Sequence, residues 1–441
     1  MKRIVFLFVI VATLLAACAP RAATATQPAV ATNQPAAAGQ PAATSAPSFA
    51  PGQFDLNNWD SVLAAAKGQS VNWYMWGGSD SVNKFVDDFY GKALKDRYGI
   101  TLNRVPVADT VDAVNQVLSE KQAGKDPGAV DLIWINGENF YTLKQANLLY
   151  PDWAQKLPNS KLVNWDNPAI NLDFGTPVNN LESPWSLAEF QFIYDSTRMN
   201  TDQLPRSYAD LLTWACGHPG RFTYIAPGPG GFLGTSFVKG ALYEISGNAN
   251  QWQTFNQATW DKWSPKLWDY LNQLKPCLWR KGETYPKDES ELKSLFANNE
   301  VDFSMTNDIT GAGAGISAGL LPKTARAFVF NNDMIGNFNY IAIPSNAPHK
   351  AAALVLANLL LEPEFQAAQI LPENGFGLGY AIDVNRVTDT AAQSALKEAA
   401  AKLGDSTAPA SDLAKALVGD SAADYQNLVE QGWQTHILQG K

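Results

Sequence analysis

Three apolar runs with strand character, at residues 70–76, 100–107 and 130–135, recur at a spacing of about 30 residues, the period of βαβ units. Between the first two, Val82, Phe85, Val86, Phe89 and Ala93 share one helical face. Between the next two, Val111, Val114 and Leu118 do the same before Gly124 stops the helix. Strands that alternate with helices in this way read as a parallel sheet flanked by helices. A second set of units begins near Pro205. A helix is expected over 207–216, a strand over 221–225, a glycine-led helix over 231–245, and a helix over 291–298 that feeds a strand at 301–305. The glycine-rich stretch 310–319 reads as a loop, followed by strands at 325–330 and 338–343, a helix at 350–361, and helical sequence from Ala391 onward. Trp252, Trp260, Trp263, Trp268 and Trp279 recur mostly at helical spacings, as side chains that pack helices together do.

The N-terminus carries a different signal. Lys2 and Arg3 precede an apolar run from Ile4 to Leu15, too short for a membrane span, which needs about 20 residues. Leu15-Ala16-Ala17-Cys18 resembles a lipobox, so 1–17 reads as a lipoprotein signal peptide and Cys18 as the lipidated residue. Residues 18–53 are almost entirely Ala, Pro, Thr, Gln, Ser and Gly, a composition expected to form a disordered tether. Cleavage would remove two of the 33 basic residues and leave 31 against 42 acidic ones, a balance that argues against nucleic acid as a partner.

Of the other two cysteines, Cys216 and Cys277, an oxidising compartment allows a disulfide; two separate buried thiols are the alternative. Only His218, His349 and His436 are available, and no Gly-x-Ser-x-Gly elbow occurs, so neither a His-built metal centre nor a hydrolytic triad is expected.

The run 292–303 (LKSLFANNEVDF) resembles the helix-then-strand element of extracellular solute-binding proteins, and Asn339-Tyr340-Ile341-Ala342-Ile343-Pro344 with the helix after it resembles their returning crossover strand. Trp76-Gly77-Gly78-Ser79, 131–140 (DLIWINGENF), Glu182-Ser183-Pro184-Trp185 and 219–224 (PGRFTY) carry the likeness to the YnjB-type group of these proteins. The resemblance implies an α/β, two-lobed type II periplasmic-binding-protein fold with crossing hinge strands, no catalysis, and delivery of a small solute to an ABC permease and its ATPase. It divides the chain into lobe I (54–190 with about 335–385), lobe II (191–334) and C-terminal helices (386–441). A monomer outside the cytoplasm, held to a membrane by its lipid and using no cofactor, is the expected state.

In open α/β sheets ligands sit beyond the carboxyl ends of the strands. The candidate contacts there are Trp76, Gly77, Gly78 and Ser79 after the first strand, and Asn136, Glu138 and Asn139 after the third. Lobe II offers Phe232, Gly234, Thr235 and Ser236 at a strand-to-helix opening and Asn307 with Asp308 after the strand at 301. Glu182, Trp185 and Asn339 lie near the crossovers. Three acids and several tryptophans suggest a cationic or aromatic solute, thiamine-like or polyamine-like. A sugar stacked on tryptophan is the rival ligand. A secreted hydrolase and a sensor's partner are the rival functions.

Overall fold

The computed structural model describes residues 53–440; the signal peptide, Cys18 and nearly all of the tether lie outside them. The first three strands are β1 (Ser70–Trp76), β2 (Thr101–Val107) and β3 (Leu132–Ile135). Both β2 and β3 run parallel to β1, with Trp73 opposite Arg104 on one side and Leu132 on the other. Because β1 is central, Val71, Trp73 and Met75 are fully buried.

The expected helix between β1 and β2 forms, but with a π turn, Val86–Gly91, between Asp80–Phe85 and Lys92–Tyr98. The extra residue rotates the buried face. Tyr90 enters the core and donates to Gln369 Oε1 at 3.1 Å, while Phe89 is only half-buried.

A short hairpin, β4 (Leu172–Asp173) and β5 (Thr176–Pro177), precedes β6 (Glu182–Glu189), which passes through Phe190 into β7 (Gln191–Asp195). Next come β8 (Phe303–Thr306), β9 (Ala325–Phe328), β10 (Met334–Ala342) and, near the C-terminus, β11 (Leu417–Gly419). The larger sheet runs β2-β1-β3-β10, with β6 antiparallel on the other side of β10 and β11 parallel to its first residues. A second sheet has the order β8-β7-β9. The chain therefore crosses between sheets along β6–β7 and returns along β9–β10; Phe190 N–H donates to the Ile335 carbonyl at 2.9 Å where the crossings meet.

Two large apolar cores follow these sheets. One gathers residues from 62 to 188 with 338 to 399, including Trp73, Trp153 and Trp185. The other gathers residues from 190 to 335, including Trp252, Trp260, Trp268 and Trp279, together with Leu413, Tyr425, Val429, Trp433 and Ile437 from the C-terminal segment. The tryptophan-rich stretch is therefore packing, and between Leu403 and Ala408, before β11, the chain crosses a third time to finish the second core. Cys216 and Cys277 are joined there by a disulfide with Cα atoms 4.8 Å apart.

Two local expectations fail for physical reasons. Residues 221–225 are extended and apolar but pair with no strand; their backbone is satisfied by loops, with Trp279 N–H donating to the Phe222 carbonyl and Asp302 N–H to the Arg221 carbonyl. The glycine-rich stretch is the helix Gly311–Ser317, in which Gly311 fits against Thr306 and Gly315 against Leu321. These glycines serve close packing, so their composition misleads as a loop signal.

Candidate functional site

The β3-to-helix junction is built by its backbone. Gly137, at φ 59°, donates its N–H to Asp173 Oδ2 at 2.8 Å, and Asn136 donates through Nδ2 to the Phe338 carbonyl at 2.7 Å. These two bonds tie the start of helix Gly137–Gln145 to the β4–β5 hairpin and to β10, and they project Glu138. Asn139 is buried and donates to Glu138 Oε1 at 3.2 Å.

At the end of β1, Trp76 is 39% exposed and its ring lies where any Gly78 side chain would go, 2.4 Å from an added Cβ. Gly77 packs as tightly against Pro106. Ser79 caps the following helix, accepting from Val82 N–H at 3.4 Å.

In the second lobe, helix Phe232–Ser246 opens against the 225–226 backbone. A Cβ on Gly234 would sit 1.9 Å from the Ile225 carbonyl oxygen. That approach delivers Thr235, whose Oγ1 donates to Glu430 Oε1 at 3.1 Å, and Gln426 donates to the same oxygen at 2.6 Å. Ser236 is buried without a hydroxyl partner. One turn on, Lys239 is wholly buried. Its Nζ donates to Asp420 Oδ1 at 2.5 Å and to Gln426 Oε1 at 3.0 Å, and lies 5.0 and 5.7 Å from the ring centroids of Phe174 and Phe232.

Glu430, on the C-terminal helix Asp424–Trp433, acts electrostatically on Glu138 of the first lobe, and Asp109 acts on both. Burial pushes the Glu138 and Glu430 carboxyls above the usual range, and Lys239 nearby pulls in the opposite direction. Since Asp420 already neutralises Lys239, the seam between lobes presents an excess of carboxylate.

Asn307 and Asp308 sit at the crossing. Glu189 N–H donates to the Asn307 carbonyl at 2.8 Å, and Gln191 Nε2 reaches the Asp308 carbonyl at 3.4 Å. Burial, with Glu289 adding repulsion, pushes the Asp308 carboxyl up to about 7.

The structure thus brings Glu138, Phe232 and Thr235 together around Lys239 and Glu430, and sets Asp308 against the 375–377 loop, where Gly377 packs on Asp308 and Gly375 on Ser81, whose hydroxyl meets that of Ser79 at 3.0 Å; Trp76 stays beside Gly78 at the end of β1. It does not bring Glu182, Trp185 or Asn339 to the seam. Glu182 is fully buried with both carboxylate oxygens unpartnered, and burial with the nearby Asp173 pushes it well above the usual range. Trp185 packs edge-on to Trp73 and Trp134 inside the first core. Asn339 is spent between crossing strands, accepting from Trp134 Nε1 at 3.2 Å and donating to Ser186 Oγ at 3.0 Å.

Sequence reasoning missed Asp109, Asp173, Phe174, Lys239, Asp420 and Glu430. Lys239 had a readable signal, a lone lysine amid Phe237, Val238, Ala241 and Leu242. Among the described residues, no group of three or more His, Cys, Asp or Glu is gathered to hold a metal.

Comparison with known proteins places this architecture. The model of the family "bacterial extracellular solute-binding protein" matches residues 89–420. Protein YnjB of Escherichia coli K12 is 38% identical over 318 residues, covering 72% of this chain and 80% of that protein. Among solved structures, the spermidine/putrescine ABC transporter substrate-binding protein PotD from Streptococcus pneumoniae superimposes with a TM-score of 0.52 at 15% identity, covering 85% of this chain and 100% of that one. The fructose-6-phosphate-bound periplasmic binding protein AfuA from Actinobacillus pleuropneumoniae gives 0.55 at 13%, covering 84% and 98%. Ferric ion-binding protein A from Pasteurella haemolytica gives 0.55 at 14%, covering 83% and 97%. The last three identities speak for the two-lobed type II fold alone. With the family match and the crossing strands, they make this chain a member of the bacterial extracellular solute-binding proteins, the solute-capturing components of ABC transporters.

Proposed function

We propose that this chain is a monomeric lipoprotein, anchored outside the cytoplasm through Cys18, that captures a small organic cation between its lobes and delivers it to an ABC permease and ATPase. The observation that carries the ligand class is the meeting of Glu138, Asp109 and Glu430 across the seam, with the one buried ammonium there, Lys239, already paired to Asp420. Closing the lobes over that excess negative charge without a counter-charge costs free energy, and a solute ammonium relieves it. Thiamine-like and polyamine-like compounds have the charge, and the exposed ring of Trp76 adds a face for a flat or cationic group.

Calorimetry with spermidine, thiamine and citrate tests the reading. Binding of a cation is expected, and tight binding confined to citrate would sink it. The same Trp76 face favours a sugar as the second reading, and a thermal-shift panel of sugars separates the two, since a ligand that binds only the native state raises the melting temperature. For the anchor, mass spectrometry of the mature N-terminus should find acyl chains on Cys18, and Cys18→Ala should release the protein from membranes.

A further inference from the structure

The solute reading leaves one contact between the two halves unused. The β4–β5 hairpin is rooted on the first lobe, where the Tyr340 hydroxyl donates to the Ala169 and Ile170 carbonyls at 3.2 and 3.0 Å just before it and Val178 N–H donates to the Asn171 carbonyl at 3.0 Å. Its tip reaches the second lobe. The Phe174 carbonyl accepts from Ala423 N–H at 3.1 Å, and the Phe174 ring lies 5.0 Å from Lys239 Nζ and 6.2 Å from the Phe232 ring. Phe174 has φ 44°, a left-handed conformation that is costly for a bulky side chain and persists where surroundings impose it. Gly175 follows at φ 74° with the Gln253 carbonyl oxygen 2.3 Å from where a Cβ would stand, so the tip approaches as closely as backbone permits.

We propose that this hairpin is an interlobe clasp: the Phe174 ring docks on the Lys239 ammonium as the lobes close, and Asp173 beside it holds the Gly137 amide and so positions Glu138. An aromatic ring suits the task because it attracts an ammonium without a formal charge that would compete with Asp420 for Lys239. A carboxylate there would add to the negative excess, and an aliphatic side chain would offer contact without attraction. Phe174 and Asp173 are therefore positioning residues, one sensing the opposite lobe and the other touching the site. The clasp takes its part in capture from the solute reading, but the ring–ammonium contact needs no particular solute.

The test accordingly uses ligand-free protein. Single-molecule energy transfer between fluorescent unnatural amino acids at the exposed positions Lys95 and Lys262, one in each lobe, reads the ratio of closed to open molecules. Phe174→Leu should lower that ratio about fivefold, and Phe174→Trp, which presents a better ring to a cation, should hold or raise it. Equal ratios in all three proteins overturn the clasp, as do a Trp variant as open as the Leu variant and a parent protein with no closed population. If Leu prevents folding, Phe174→Ile takes its place as the side chain without a ring, with the same expected fall and the same refuting outcomes. Failure of spermidine to bind would leave these ratios untouched, so the two readings fail separately.

Discussion

Replacing Glu189 by Gln should stabilise the protein at neutral pH and leave it unchanged in acid. Glu189 ends β6 where the chain leaves the first sheet; it is 3% exposed and its Oε1 has no partner. Burial pushes its carboxyl up from 4.5 to about 7. Between those values the folded state binds more protons than the unfolded one, so stability falls as pH rises through the window and levels off above about 7. At 1.36 kcal/mol per pH unit, the rise from 4.5 to about 7 corresponds to about 3 kcal/mol, the most that Glu189→Gln can recover. With an unfolding entropy near 2.1 cal/mol/K per residue over about 390 residues, that is a rise of about 3–4 °C in melting temperature. Scanning calorimetry of both proteins from pH 4.5 to 8 supplies the test. Asp308, pushed up to about 7, and Asp333, pushed up to about 6, bend both curves alike, so the difference between the curves isolates Glu189. A gap that does not change with pH, or a variant less stable at pH 8, would refute the reasoning.

Other perturbations have equally direct readouts. Replacing both Cys216 and Cys277 by Ser opens a loop with a sequence separation of 61 and should cost about 4 kcal/mol in denaturant titrations. Lys239→Met strands the buried Asp420 carboxylate and should cost about 3–5 kcal/mol, whereas Lys239→Met with Asp420→Leu should recover most of the loss; an unrecovered double variant would refute the pairing. Glu138→Gln should weaken spermidine binding about tenfold or more while melting within about 1 °C of the parent, by calorimetry and thermal shift. Gly234→Ala meets the Ile225 carbonyl, which cannot step aside, and should destabilise by about 1–3 kcal/mol in the same titrations.

How much of this was legible in the sequence depends on the range of the interaction. The period that places β1, β2 and β3 is local, and so is the alternation that buries Val71, Trp73 and Met75. The Gly137 junction was visible as polar residues directly after an apolar strand. What joins Glu138 to Glu430 was not, because nearly 300 residues separate them and only the third crossing brings the C-terminal helix to the seam. Tryptophan misled in the opposite direction. Trp134 and Trp185 sit beside polar loops in sequence, but a β-strand sends alternate side chains to opposite faces, and Trp185 goes inward. Glu182 misled too: its place near a crossover suggested the cleft, but as the first residue of β6 it is fully buried.

The third crossing also sets an order of assembly. The second core, built mostly from residues 190–335, is completed by Tyr425, Val429 and Trp433, and the first, built from residues 62–188, by Phe338 to Ala399. Each half therefore needs segments far apart in the chain before its core is complete. Contacts between segments so distant in sequence make folding slow, because long loops must close before either core is rewarded.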